Sequence, residues 1–200
     1  MTVCSLRLLD CFCGMGGVSD GFALEGFDVT GIDIVDAPKL LGYKHKFIQA
    51  DILTLKGEDF RGYDVIWGSP PCRDFTQLPS QSTTKKGIFR EWKIPKSAEK
   101  GVKLVVAFRQ FIIDAEPTFW ILENVKGLRT HLSLPRFCTY LGYNRRYRCF
   151  WGNFPPFLMS KTNVSLQQSF NSKVRSWERA KIPLPCGKAF AQACKEKLQP

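Results

Sequence analysis

Cys72 is the residue best placed in this sequence to act as a nucleophile. It follows Pro70-Pro71 and precedes Arg73. Two prolines fix the backbone ahead of it, which pre-organises a loop position. A structural cysteine sits more naturally inside an apolar run, as Cys4 and Cys138 can. A thiol with the ordinary pKa of about 8.5 is only a few per cent thiolate at neutral pH, so attack needs positive charge nearby. Arg73 and the later arginines are the candidates to supply it. Glu123-Asn124, closing an aromatic apolar run, offers the partner acid: a carboxyl at a pocket floor that holds or donates a proton. Glu123 by itself also fits a cap or a structural ion pair. The eight cysteines (4, 11, 13, 72, 138, 149, 186 and 194) form no C-x-x-C pair, so neither a metal site nor a dithiol motif is expected.

A second set of residues suits a nucleoside. Gly14-x-Gly16-Gly17 follows an apolar run, and such a turn lets backbone approach a ligand closely. The third glycine of a dinucleotide fingerprint is absent; Ser19 stands there. Asp33 is placed to accept from ribose hydroxyls, Asp51 from an adenine amino group, and Phe12 to stack on the adenine ring. Asp10 and Pro70, at the ends of two other strands, join this set. One nucleoside without phosphates fits these parts, and S-adenosyl-L-methionine is such a cofactor. The same residues also fit a plain tight turn, a helix cap and a core aromatic.

These groups need a scaffold, and the first half of the chain alternates between strand and helix patterns. Strands are expected at Leu6–Phe12, Phe27–Ile34, Lys46–Ile52, Tyr63–Trp67 and Thr118–Leu122. Helices are expected at about Val18–Glu25 and at Ser97–Ala115, with a long loop over residues 76–97. That order predicts an α/β fold, Rossmann-like, with a mostly parallel sheet. Ligands in such sheets bind beyond the carboxyl ends of the strands. Asp10, the glycine turn, Asp33, Asp51, Cys72 and Glu123 all fall at or just past such ends.

Composition narrows the function. The chain has 200 residues, 44% hydrophobic and 24% charged, which suits a globular domain with a real core. Lys and Arg number 29 against 18 Asp and Glu, a net charge of +11. A surplus that large predicts a polyanionic partner such as nucleic acid. Residues 85–103 add Lys85, Lys86, Arg90, Lys93, Lys96, Lys100 and Lys103, with Phe89 and Trp92 interleaved. Such a segment can close over nucleic acid or be a solvated charged loop. No run approaches the length of a membrane span, and Met1–Leu9 is too short for a secretory leader, so an intracellular location is expected.

Four ordered motifs closely resemble the DNA (cytosine-5) methyltransferases: residues 9–17 (LDCFCGMGG), 68–76 (GSPPCRDFT), Glu123-Asn124-Val125, and Asn144-Arg145-Arg146-Tyr147-Arg148. The resemblance covers roughly residues 6–153. A weaker echo at Ile182–Pro185 and Lys188–Ala191 looks like the family's C-terminal helix. It implies that Cys72 attacks C6 of a cytosine flipped out of duplex DNA, while Glu123 holds N3 and the 4-amino group. Arg146 and Arg148 would hold the base O2 and a phosphate. Phe12, Asp33 and Asp51 would hold the adenosyl part of S-adenosyl-L-methionine, and the turn Gly14, Gly16 and Gly17 its amino-acid part. Arg73, Lys85, Lys86, Arg90, Trp92 and Lys93 would meet DNA.

The sequence also departs from the family. Arg73, Thr76 and Asn144 replace a common Gln, Ser and Gln. A catalytic and cofactor-binding domain is expected over 1–153, with 182–200 returning to it. Only residues 154–181 stand where the family carries a target-recognition domain, too few to bury a core. Recognition is then reduced, supplied by the 76–97 loop, or supplied by a partner or a second copy. The same chemistry on tRNA, and a non-catalytic nucleic-acid-binding relic, are the alternative readings.

Overall fold

The computed structural model describes residues 5–75, 96–132, 139–143, 146–156 and 181–199. The strands are β1 (Arg7–Cys11), β2 (Asp28–Asp33), β3 (Lys46–Gln49), β4 (Val65–Gly68), β5 (Phe119–Val125), β6 (Thr139–Tyr143) and β7 (Arg146–Asn153). The helices are α1 (Gly17–Leu24), α2 (Ala37–Leu41), α3 (Lys96–Ala115) and α4 (Leu184–Leu198). The seven strands form one sheet in the order β3-β2-β1-β4-β5-β7-β6. It is parallel from β3 to β5, and β7 runs antiparallel to both β5 and β6. This is the expected α/β architecture with a mostly parallel sheet.

Side chains alternate across each strand, so the central strands feed two cores at once. Leu9, Cys11, Ile66 and Leu122 pack with Val105 and Phe108 of α3 on one face. Leu8, Val65, Trp67, Ile121 and Phe150 pack with Phe22 of α1 and Phe190 of α4 on the other. Trp67 anchors that second core, with ring centroids 4.9 Å from Phe190 and 5.7 Å from Phe150. Full burial of each such side chain contributes about 1.5–3 kcal/mol. α4 reaches α1 closely because glycines meet: a Cβ on Gly21 would lie 2.5 Å from the carbonyl carbon of Gly187.

Several boundaries differ from expectation, each for a local reason. The third strand ends at Gln49, because Asp51 caps a 3-10 turn over Ile52–Thr54, accepting from Leu53 N–H at 3.0 Å. The fifth strand runs on to Val125, so Glu123 and Asn124 lie within it. Pairing with β7 carries it there, Glu123 opposite Phe150 and Val125 opposite Arg148. The strands β6 and β7, and the short helix α2, were not anticipated. Residues 146–148 of the arginine motif lie inside β7, where their polar side chains mask the strand alternation.

Candidate active site

The carboxyl ends of β1, β4 and β5 open on one cavity of about 140 Å³. Asp10, Phe12, Gly14, Gly17, Pro70, Cys72, Glu123 and Arg148 line it. The two expected halves, one for a cofactor and one for chemistry, therefore share a single space. Lys181 and Ile182, just ahead of α4, close the same cavity from the far end of the sequence.

In the chemical half, β7 brings Arg148 beside β5. Its Nη1 donates to Glu123 Oε1 at 2.7 Å, and the two side chains are 18% and 7% exposed. Burial alone would lower the Arg148 pKa. The Glu123 carboxylate outweighs it and holds the guanidinium charged, with Cys72 adding in the same direction. Cys72 thus sits within the field of a permanent cation, the support that thiolate chemistry requires. The loop before it is pinned: Asn124 Nδ2 donates to Pro70 O at 3.0 Å, and Ser69 N–H to Cys11 O at 3.2 Å. Asn124 is fully buried, and its Oδ1 accepts from Val125 N–H. Arg73 opens a 3-10 turn just after Cys72 and is exposed.

In the cofactor half, the turn is built by left-handed backbone. Gly14 and Gly16 have φ of 51° and 71°, and Phe12 has φ of 61°. For a bulky side chain that conformation is strained by about 1–3 kcal/mol, and such strain concentrates at functional sites. The strained residue turns its ring edge-on to Phe108, centroids 6.0 Å apart. Asp33 supports the turn: its Oδ2 accepts from Gly14 N–H at 3.0 Å, and its Oδ1 from Val35 N–H. Gly16 packs under Tyr43, where a Cβ would lie 3.0 Å from the ring. Gly16, Asp33 and Asp51 are not among the residues lining the cavity.

Asp10 is 2% exposed and accepts from Ser19 Oγ at 2.6 Å; Ser19 Oγ lies 2.9 Å from Tyr43 Oη. Burial raises the Asp10 pKa to about 7 against the lowering effect of the Ser19 bond. The donor set suits a nucleoside with an amino-acid chain. There are acids near the first, second and third strand ends, a glycine turn whose backbone a ligand can approach, and an acid and a lysine on the cavity wall.

Arg146 begins β7 opposite Tyr143. Lys85, Lys86, Arg90, Trp92 and Lys93 lie outside the described residues, as does most of 154–181.

The sequence profile of C-5 cytosine-specific DNA methylases matches residues 6–151, well over half of the chain. The chain belongs to this family. Its relatives include the Type II methylase M.HgiDII of Herpetosiphon aurantiacus, 29% identical over 133 residues, which are 62% of this chain and 34% of that protein. The Type II methyltransferase M.FnuDI of Fusobacterium nucleatum is 31% identical over 127 residues, 62% of this chain and 33% of that one. The chain spans about a third of the length of these relatives. Among solved structures, the S. pombe Dnmt2 methyltransferase shares the fold, with a TM-score of 0.50 and 19% identity over 74% of this chain and 49% of that one.

In this member of the family, sequence reasoning missed four residues at or beside the cavity. Asn124 was quoted within its tripeptide, but its hold on Pro70 needs the β5–β4 neighbourhood. Ser19 was noted for replacing a glycine, and its bond to Asp10 needs α1 seated on β1. Tyr43 carries no local signal, and Lys181 none beyond its positive charge in a basic stretch.

Proposed function

We propose that this chain transfers a methyl group to C5 of cytosine in DNA, through a transient bond between Cys72 and C6 of a flipped-out base. The observation that carries this is the convergence of Cys72, Glu123 and Arg148 with the glycine turn on one cavity, in a chain of this family.

S-adenosyl-L-methionine would supply an electrophilic methyl group bonded to a sulfonium. Phe12, Asp33 and Asp51 would hold its adenosyl part, and the Gly14–Gly17 turn its amino-acid part. The Cys72 thiolate adds to C6, and the Arg148 cation favours that thiolate. Glu123, protonated when the base is bound, accepts from the 4-amino group through one carboxyl oxygen and delivers its proton to N3 from the other, so the charge that develops on the ring as C6 is attacked is neutralised there. C5 thereby becomes nucleophilic. After methylation a base removes the C5 proton, and the electrons of the C5–H bond restore the C5–C6 double bond and expel Cys72. Arg148 keeps Glu123 oriented and compensates its charge once that proton has passed to N3. Arg146 is read as a contact to the base or a phosphate. Arg73, beside the nucleophile and exposed, is read as a DNA contact.

The surplus of +11 favours the DNA backbone as partner. Residues 154–181 are too few for a recognition domain, so sequence selectivity is assigned to a partner, a second copy or the 76–97 segment. A DNA substrate implies an intracellular site of action. No helix among the described residues is long and apolar enough to cross a membrane.

The test is methyl transfer from labelled S-adenosyl-L-methionine to mixed-sequence duplex DNA and to tRNA, side by side, with Cys72→Ala alongside. Label in DNA with the wild type alone is expected. Label in tRNA only, or label persisting in Cys72→Ala, overturns the reading.

A further inference from the structure

Asp10 and Lys181 both line the cavity, and both are held by the first turn of α1. Asp10 lies inside β1 and is bonded to Ser19. Lys181 stands at the rim, 37% exposed, and its Nζ donates to Asp20 Oδ2 at 3.0 Å. Ser19 and Asp20 are consecutive, so a single helical turn sets the position of both charges. Asp20 is itself shared: His45 Nε2 lies 3.0 Å from its Oδ1. Burial alone would raise the Asp20 pKa, but the His45 and Lys181 bonds outweigh it and keep the carboxyl below its ordinary value. The lysine stem lies over Gly17, where a Cβ would be 2.8 Å from Lys181 Cγ. Any side chain at position 17 would displace it.

An ammonium group has three donors, and Asp20 takes one. Among the described residues none accepts from the other two, which a ligand can take. A lysine already tethered at one donor loses less freedom on binding than one swinging in solvent. An acid and a tethered ammonium on the same cavity match a free amino-acid end, which carries an ammonium and a carboxylate on one carbon.

Resting on the function proposed above, we propose that Lys181 recognises the carboxylate of the cofactor's amino-acid end, and that Asp20 is its positioning residue. Lys181 is thus the residue that discriminates cofactors with this carboxylate from those without it.

Calorimetric binding of S-adenosylmethionine and of its decarboxylated form, which keeps the ammonium group, tests this without any turnover. Lys181→Gln is expected to weaken S-adenosylmethionine binding roughly tenfold, the loss of one charge-assisted hydrogen bond at a half-exposed site. Binding of the decarboxylated form is expected to stay within about twofold. Lys181→Arg is expected to keep the discrimination, and Asp20→Asn to lose part of it, again only for the carboxylate-bearing ligand. Equal losses for both ligands, or none, overturn the proposal. Wild-type protein that binds neither ligand overturns this proposal and the proposed cofactor together, an outcome distinct from the other two.

Discussion

Removing Arg148 strands Glu123, and the cost can be worked from the geometry. The pair is 2.7 Å apart, and at an effective dielectric of about 20 two unit charges at that separation attract by roughly 6 kcal/mol. Desolvation of each ion takes back several kcal/mol, so the intact pair adds little net stability. Removing one partner is different, because the other charge stays where water is largely excluded. That costs about 3–5 kcal/mol. Arg148→Met is expected to lower the unfolding free energy by about 3 kcal/mol at pH 8. Glu123→Gln alone strands Arg148 in turn, while Glu123→Gln/Arg148→Met removes both charges and recovers most of the loss. Urea unfolding of the four proteins gives the coupling energy, expected to reach at least about 2 kcal/mol at pH 8. A coupling below about 0.5 kcal/mol is the value of a solvated surface pair, and would refute the reasoning.

Three further outcomes follow from single contacts. Gly21→Ala places a methyl group against the backbone of Gly187 and Lys188, both unable to yield locally. It should destabilise the fold by about 1–3 kcal/mol and weaken cofactor binding, since α4 carries Lys181 and Ile182 with it; calorimetry that shows unchanged affinity would contradict this. Asp10 has its pKa raised by burial from 3.8 to about 7, so the native state binds this proton more tightly than the unfolded chain. Its contribution is therefore most favourable below about pH 4 and is lost as pH rises through about 7. Asp10→Asn should gain on the wild type by up to about 4 kcal/mol across that window, and parallel stability curves would exclude the assignment. Asn124→Ala leaves the Pro70 carbonyl without its buried donor and loosens the loop that carries Cys72. Its kcat for methyl transfer should fall at least about tenfold, with the cofactor Kd within about twofold; a loss in Kd alone would contradict the positioning role.

How far the site was legible depended on whether its signal was local. Cys72 was readable because two prolines and an arginine flank it, and the glycine turn because glycine spacing encodes backbone conformation. The parallel core of the sheet followed from apolar runs at β1, β2 and β4. Glu123 was found, but its place inside β5 was not, because the strand is extended by β7. β7 in turn was hidden by Arg146, Tyr147 and Arg148 at its start. The tethers of the site were the least legible: Asn124 to Pro70, Ser19 to Asp10 and Lys181 to Asp20 join residues 54, 9 and 161 positions apart. Only the packed sheet and helices bring such pairs together. Phe12 was chosen for its ring, while its left-handed backbone came from the fold.

The central claim is the bond between Cys72 and the target base. A mixed-sequence duplex with 5-fluorocytosine in place of cytosine tests it directly, because fluorine at C5 cannot leave as a proton does and elimination stalls. With S-adenosyl-L-methionine present, a protein–DNA complex that survives denaturation is predicted, with peptide mass spectrometry placing the nucleotide on Cys72. No such complex, or one that forms equally well with Cys72→Ser, would contradict the account.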